Sequence, residues 1–447
     1  MHDFEGLGMP NDGAVISTPS QNFLEFEPTR HRRWYERILL NTPLGYALSL
    51  LLVALVPFHL GYGYWDSPAD PNQLWTLGIL ALAFMVNTLL SRALSQYPGG
   101  NLIAYQLSVT AVTIGLTLLT ITACRLGYAR KPLFIGFALL MGAQVATVLL
   151  KARFRYTKFA LVPGGRLTTP PDGRDCARFL VLKNPRDRRR FDALVVDMDA
   201  PLSDEWVRFI ARHNARNIPV LSGKYLNESL DGSVDLDGLS ASDLRALQPN
   251  PLYLLGKRLL DVAGAVLLLP VALPVLALVA LAIRLESPGP ALFIQDRVGG
   301  GNEPFRMLKF RSMRLPDDER SDRPRFADEE EHRITPLGRL LRRSRLDELP
   351  QLWNVLKGDM SLIGPRPEQP RFARSFDRAV PFYSYRHIIK PGITGWAQVQ
   401  QGYASDVVDT RRKVEHDFYY IKHLGPVLDI LIVMKTLHTI VTGFGAR

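Results

Sequence analysis

Between Arg339 and Pro367 the chain reads Arg339-Leu-Leu-Arg342-Arg343-Ser-Arg345-Leu-Asp347-Glu348-Leu-Pro350, then an apolar run, then Gly364-Pro-Arg366-Pro367. Two adjacent carboxylates thus follow four arginines. Proline is accepted in the first turn of a helix, where its missing N–H costs nothing. Pro350 therefore predicts a helix start and puts Asp347 and Glu348 at or just inside its N-terminus, where the macrodipole favours anions. An acidic pair ringed by guanidinium groups suits phosphate chemistry. The arginines grip a polyphosphate through forked hydrogen bonds, and one carboxylate attacks it or holds a cation. A plain capping role accounts for the same acids, because Asp is a common N-cap and Glu is common in a first turn. The neighbouring arginines and Gly364-Pro-Arg-Pro367 favour the chemical reading. A second basic pair, Lys309 and Arg311, lies two apart in Pro304-Phe-Arg-Met-Leu-Lys-Phe-Arg-Ser-Met313 and shares one face if extended. That face is either part of the site or solvated.

The elements that must carry these residues follow from the rest of the pattern. Four hydrophobic segments, about 43–64, 74–92, 102–123 and 132–151, each approach the roughly 20 residues that cross a bilayer as a helix. Basic clusters at Arg30–Arg37 and Lys151–Lys158 flank them, and the first loop carries two acids and no base. The positive-inside rule predicts a cytoplasmic N-terminus and a return to the cytoplasm after four spans; Arg125, Arg130 and Lys131 in the last loop oppose it. Residues 1–28 lack periodicity and a signal-peptide pattern and read as a disordered tail. Residues 29–154 form the membrane domain, and 155–250 a soluble α/β module.

In that module, apolar runs at Phe159–Pro163, Phe179–Leu182, Ala193–Asp197 and Ile218–Leu221 read as strands, and Ser203–Asn217 as a helix. The alternation predicts a small Rossmann-like parallel layer. The turn after its first strand, Val162-Pro-Gly-Gly-Arg-Leu, lacks the dinucleotide fingerprint, so a structural or oligomerising role is expected, with a second copy of the chain (a homodimer) a candidate partner.

Residues 251–447 form the last domain. Its apolar run 257–285 is long enough to span, yet Pro270 and Pro274 interrupt it and both ends are basic, at Lys257/Arg258 and Arg284. A fifth crossing would also put the arginine-rich remainder outside. A re-entrant helix–break–helix, entering and leaving one face, is expected. Residues 315–331 read as a mobile loop, and Val427–Thr442 as an interfacial helix with a snorkelling Lys435. The net charge of +11 fits an anionic membrane face and phosphorylated substrates; no nucleic-acid motif accompanies it. Cys124 and Cys176 have no metal-ligand spacing and predict no disulfide.

With Lys309-Phe-Arg-Ser-Met313, Leu346-Asp-Glu-Leu-Pro-Gln-Leu352, Asn354-Val-Leu-Lys-Gly-Asp-Met-Ser361, Gly364-Pro-Arg-Pro367 and Pro391-Gly-Ile-Thr-Gly-Trp-Ala-Gln398 in one order, residues 253–447 closely resemble the bacterial polyisoprenyl-phosphate hexose-1-phosphate transferases. The upstream spans and α/β module resemble larger members in architecture. The resemblance implies transfer of a hexose-1-phosphate from a UDP-sugar to undecaprenyl phosphate, with release of UMP, at the start of an exopolysaccharide or O-antigen repeat unit. UDP-glucose is the favoured donor; UDP-galactose or a UDP-N-acetyl amino sugar is the alternative. Asp347 corresponds to the nucleophile of a ping-pong reaction through a covalent aspartyl-phosphosugar, and Glu348 to its partner in metal or proton handling. Mg²⁺ is the implied cofactor, held at Asp347 and Glu348. Arg342, Arg366 and Lys309 correspond to basic residues of the phosphate site, and Arg311 is placed with them. The implied architecture is a monotopic, α-rich catalytic domain inserted in one leaflet of the bacterial inner membrane, on its cytoplasmic face, among membrane lipids. The sequence departs from the family at the re-entrant break, where Leu273-Pro274 replaces the frequent Ser-Pro, and after Gln398, where no arginine follows until Arg411. A catalytically silent membrane scaffold is the reading from another class; the intact Asp347, Glu348, Arg342 and Arg366 oppose it.

Overall fold

The computed structural model describes residues 42–62, 71–94, 97–98, 102–154, 157–164, 177–187, 189–239, 241–314, 333–401 and 407–442. The expected tail at 1–28 and loop at 315–331 lie outside them.

The N-terminal hydrophobic segments are four helices, α1 (Thr42–Tyr62), α2 (Pro71–Leu94), α3 (Leu102–Ala123) and α4 (Arg130–Phe154). They are packed with polar groups inside and leucines outside. Leu82, Leu89, Leu116 and Leu119 are exposed, whereas Asn87, Gln106, Thr110, Thr113 and Gln144 are buried. Asn87 Nδ2 donates to Thr110 Oγ1 at 3.2 Å, and Gln106 Nε2 donates to Asn87 Oδ1 at 3.3 Å and Gln144 Oε1 at 3.2 Å. Such a pattern suits a lipid solvent, where leucine loses nothing by facing outward and polar side chains join helices. The stretches Pro71–Leu94, Gln106–Ala123 and Arg130–Leu150 are long and apolar enough to cross a membrane, as is the later helix Pro251–Glu286.

The soluble module holds β1 (Thr157–Leu161), β2 (Ala177–Val181), β3 (Ala193–Val196) and β4 (Val220–Ser222) in a parallel sheet of order β2-β1-β3-β4. Side-chain alternation divides its core in two. Ala160, Leu194 and Val196 pack with Trp206 and Phe209 of α5 (Asp204–Asn214), while Phe159, Leu161 and Val195 pack with Leu226 and Leu230 of α6 (Gly223–Asp231).

After the short α7 (Ala241–Ala246) comes α8 (Pro251–Glu286), and here the expected helix–break–helix is corrected: the helix runs uninterrupted through Pro270 and Pro274. Each proline removes one backbone donor, and a spacing of four puts both losses on one face, so the axis can bend while the ladder continues. One side of α8 is buried, at Lys257, Asp261, Ala265, Ala272 and Ile283. Ala265, ahead of the prolines, and Leu276, after them, pack on the same cluster of Met307, Leu352, Val355 and Met360. The other side presents Leu267, Val271 and Leu278, all exposed.

The remainder comprises the antiparallel hairpin β5 (Leu292–Val298) and β6 (Pro304–Phe310), α9 (Pro336–Ser344), α10 (Gln351–Lys357), β7 (Ser361–Ile363), α11 (Pro370–Ala379), β8 (Gly392–Thr394), α12 (Trp396–Gln401), α13 (Val407–Lys422) and α14 (Pro426–Thr442). β7 and β8 pair in parallel. On the last helix the expected snorkelling of Lys435 is corrected, while Ile430, Val433 and Leu437 remain exposed. Lys435 is buried, donates to Gln400 Oε1 at 2.6 Å and stands 4.7 Å over the Trp396 ring, and Asp429 accepts from Lys257 Nζ at 2.9 Å and Tyr420 at 2.7 Å. Both charges of this helix are thus satisfied internally. One apolar cluster joins all three regions: Leu94 and Val109 of the membrane helices, Val234 and Leu247 after α6, and Trp396, Phe418, Leu428 and Ile432.

Candidate active site

Four pieces of backbone converge on the acidic pair. β6 supplies Lys309. Its partner strand places Arg297 opposite Phe305, Gln295 opposite Met307 and Phe293 opposite Lys309, so Arg297 and Lys309 share one face of the hairpin. α9 closes with Arg345 in the left-handed region (φ 58°), and a 3-10 turn, Leu346–Glu348, turns the acids inward before α10 begins. Asp347 and Glu348 therefore sit one turn ahead of the helix, close to where Pro350 placed them. Asn354 on α10 ties this helix to β6, with Oδ1 accepting from Leu308 N at 3.0 Å and Nδ2 donating to Arg306 O at 2.8 Å. Arg258 of α8 caps the far end of α10 through the carbonyls of Val355 and Leu356.

The fourth piece is the Gly364-Pro-Arg-Pro367 loop after β7. A Cβ on Gly364 would stand 2.5 Å from Lys390 O, and one on Gly392 2.0 Å from Gly364 N. Glycine at both positions lets the two backbones touch, which explains why the Gly-Pro-Arg-Pro and Pro-Gly-Ile-Thr-Gly stretches need glycine there.

Within this frame both acids are buried. Glu348 Oε1 accepts from Arg366 Nη2 at 2.9 Å and lies 3.5 Å from Arg345 Nη1. Burial alone would raise its carboxyl, but Arg366, Lys309 and Arg345 outweigh it and hold Glu348 down at about 2. Asp347 behaves oppositely: burial, and next the Glu348 charge, push it up against Lys309, Arg366 and Arg345. Burial and then Arg366 pull the Lys309 ammonium down to about 8. Asp347 Oδ1 is buried with no hydrogen-bond partner. A cleft beside them is lined by Arg297, Met307, Lys309, Gln351, Arg366 and Gly392. The arrangement sets several cations around one ion-paired carboxylate, Glu348, and one carboxylate with an unpartnered oxygen, Asp347.

The sequence candidates divide. Asp347, Glu348, Lys309 and Arg366 come together. Arg311 does not join them: β6 ends at Phe310, the two-residue alternation stops, and the Arg311 guanidinium turns to Ser287 O at 2.8 Å and Pro288 O at 2.6 Å at the end of α8. Arg342 points its Nε at Ser312 Oγ, 2.9 Å away, and the arginine of this run that stands beside Glu348 is Arg345. Pro270 and Pro274 lie in α8, outside the cleft. Arg297 was missed, and Arg345 was read only as one of the four arginines ahead of the acids. Alternation back from Lys309 through the hairpin would have found Arg297; Arg345 depends on its left-handed backbone, for which a non-glycine residue gives no signal.

Asp347 and Glu348 also fit a magnesium ion. Hard carboxylate oxygens suit it, an unpartnered buried oxygen is present, and this metal is commonly held by one or two carboxylates with substrate phosphates and water. Among the described residues no cluster of three or more His, Cys, Asp or Glu offers a complete protein cage.

Residues 252–443 match the family described as bacterial sugar transferase. A UDP-N-acetylgalactosamine-undecaprenyl-phosphate N-acetylgalactosaminephosphotransferase from Aeromonas hydrophila is 42% identical over 422 residues, 94% of this chain and 99% of that protein. UDP-glucose:undecaprenyl-phosphate glucose-1-phosphate transferases from Caulobacter vibrioides and Escherichia coli are 44% and 40% identical over 192 and 183 residues. These matches cover 42% and 40% of this chain and 70% and 39% of the respective relatives. The likeness to the first runs through membrane helices, α/β module and site alike, and the chain belongs to the bacterial sugar transferase family as a phosphoglycosyl transferase.

Proposed function

We propose that the protein transfers a sugar-1-phosphate from a UDP-sugar to undecaprenyl phosphate through a covalent adduct on Asp347, beginning a polysaccharide repeat unit at the cytoplasmic face of the inner membrane. The observation that carries this reading is the asymmetry of the acids: Glu348 is neutralised by Arg366 and Arg345, while Asp347 Oδ1 is buried and unpartnered. An unpartnered carboxylate oxygen in a cationic pocket is poised to attack a phosphorus.

In the first step an Asp347 oxygen bonds to the phosphorus that carries the sugar, the bond from that phosphorus to the bridging oxygen breaks, and the electron pair leaves with UMP. In the second, a phosphate oxygen of the lipid attacks the same phosphorus and the Asp347 carboxylate departs. Arg366, Arg345, Lys309 and Arg297 face the phosphates and offset the charge that repels an anionic nucleophile. Bound Mg²⁺, held by Asp347 and Glu348, would supply further charge neutralisation on the phosphate oxygens.

The two substrates differ in solubility, and α8 supports a meeting place. Ala265 and Leu276, on either side of the two prolines, pack on one cluster of the catalytic domain while the outer face of α8 is apolar, which supports a helix held against one side of the bilayer. Cysteines introduced at the exposed positions 255 and 285 should label from the same side; opposite-side labelling refutes re-entry. As to the sugar, the relative matched along its whole length is named for N-acetylgalactosamine, and the shorter matches for glucose. The full-length likeness favours UDP-N-acetylgalactosamine over the UDP-glucose expected from the motifs. UMP release from a panel of UDP-sugars with undecaprenyl phosphate and Mg²⁺, wild type against Asp347→Ala, tests both points. Undiminished release by the variant removes Asp347 from its role.

A further inference from the structure

Arg366 reaches Glu348 from an irregular loop, and such a loop has no ladder to fix its carbonyls. Here four consecutive carbonyls are nonetheless held. Pro365 O accepts from Gly392 N at 2.9 Å, Arg366 O from Arg386 Nη2 at 3.0 Å, Pro367 O from Arg297 Nη1 at 3.1 Å, and Glu368 O from Val298 N at 2.9 Å. Prolines at 365 and 367 fix φ on either side of Arg366. The bond on Arg366 itself comes from a side chain twenty residues downstream that is 1% exposed.

Arg386 is in turn fully engaged. Its Nε and Nη2 meet Asp417 Oδ2 at 2.9 and 2.7 Å, and Nη1 donates to Tyr383 Oη at 2.9 Å. Asp417 is also 1% exposed, on α13 beside the buried Phe418. Apolar replacements of such a buried pair are often neutral or stabilising, so the pair is a poor device for stability alone. A planar fork, however, can grip a carboxylate, a phenol and a carbonyl at fixed angles, which an ammonium cannot do.

We infer that Arg386, oriented by Asp417, is a positioning residue that holds the Arg366 backbone so that its guanidinium meets Glu348 and the donor phosphates. The inference rests on the proposed phosphate role of Arg366. Nothing in the sequence motifs marks Arg386 or Asp417, which lie outside all five.

The test is a double-mutant cycle on the full-length protein in membranes or detergent. The variants are Arg386→Lys, Asp417→Asn and Arg366→Lys, and the two pairs with Arg366→Lys. Arg386→Lys should lower kcat about tenfold or more, with a smaller change in donor KM, and weaken UDP binding about fivefold. In the Arg366→Lys background neither substitution should add more than about twofold to either loss. Asp417→Asn keeps the shape of the site and reports in the same direction if Arg386→Lys fails to fold. Additive losses, or a folded Arg386→Lys protein with wild-type kcat and UDP affinity, would overturn the inference. A wild type that releases no UMP from any UDP-sugar contradicts the functional reading instead, and UDP affinity in the same cycle still decides the positioning claim.

Discussion

Two buried acid–arginine centres lie on either side of the Gly364–Glu368 loop, and they are built to opposite ends. Behind the loop, Arg386, Asp417, Tyr383, Glu368 and Lys413 satisfy one another: each acid has a cation, and the Arg386 fork is filled, while Arg297 lies between the two centres, 3.8 Å from Glu368 and lining the cleft. In front of it, cations outnumber satisfied acids. Glu348 is paired with Arg366 and Arg345, but Asp347 Oδ1 has no partner, and Lys309 is pulled down to about 8. A closed network is structure. An open one, with an unpartnered carboxylate oxygen among cations, is where the proposed chemistry would take place. The difference separates two kinds of mutational outcome.

The largest expected effect is at the open centre. Asp347→Asn should lower turnover by about a thousandfold or more, as removal of a covalent nucleophile does. Its thermal stability should stay level or rise, because the substitution removes a carboxylate that burial and Glu348 disfavour. A large drop in melting temperature would show that the front centre is as structural as the back. Next, Asp417→Ala should destabilise the fold by about 3–5 kcal/mol by stranding Arg386, measured by denaturant or thermal unfolding. A neutral result there would break the contrast from the other side.

Acid sharpens the comparison further. Glu348 is held at about 2 by Arg366, Lys309 and Arg345 against burial, and Glu368 at about 2 by Lys413, Arg386 and Arg297 against burial. Both folded values lie below the ordinary 4.5, so each stabilises the fold above that pH and loses its contribution as pH falls from 4.5 toward 2. The size is about 3 kcal/mol each. Glu368→Gln and Glu348→Gln should each flatten the acid limb of an unfolding curve. Asp347 has the opposite sign: its folded value is raised, so its ionisation weakens the fold as pH rises through that value, and its protonation removes the nucleophile as pH falls. The acid limb of kcat/KM should therefore lie above the usual aspartate range. The smallest effect should come from Arg311→Lys, about tenfold or less in turnover, because its guanidinium serves the end of α8 and not the cleft.

The open centre was largely legible in the sequence because its chemistry is concentrated in short motifs. Asp347, Glu348 and Arg366 were singled out from residue type and spacing, Lys309 was carried by the family resemblance, and Pro350 located the turn. The four membrane helices and the parallel strands were likewise carried by apolar length and alternation. The closed centre was invisible, because Arg386 meets Arg366, and Asp417 meets Arg386, only through tertiary packing, 20 and 31 residues apart. The misplaced residues have one cause. Arg311 and Lys435 were assigned by local pattern, and a long side chain at the end of an element follows whichever carbonyl or carboxylate the fold brings near. Pro270 and Pro274 were read as a break because proline removes a helix bond, yet a helix that keeps its remaining bonds can bend without ending.

The central claim is that an oxygen of Asp347 carries the sugar phosphate between donor and lipid. Protein mixed with UDP-sugar in the absence of lipid phosphate, quenched in acid and digested, should yield the Asp347 peptide heavier by one sugar phosphate. The added mass should vanish when undecaprenyl phosphate is supplied before the quench. A preparation that turns over with both substrates yet never shows the adduct, on that peptide or any other, would contradict the account.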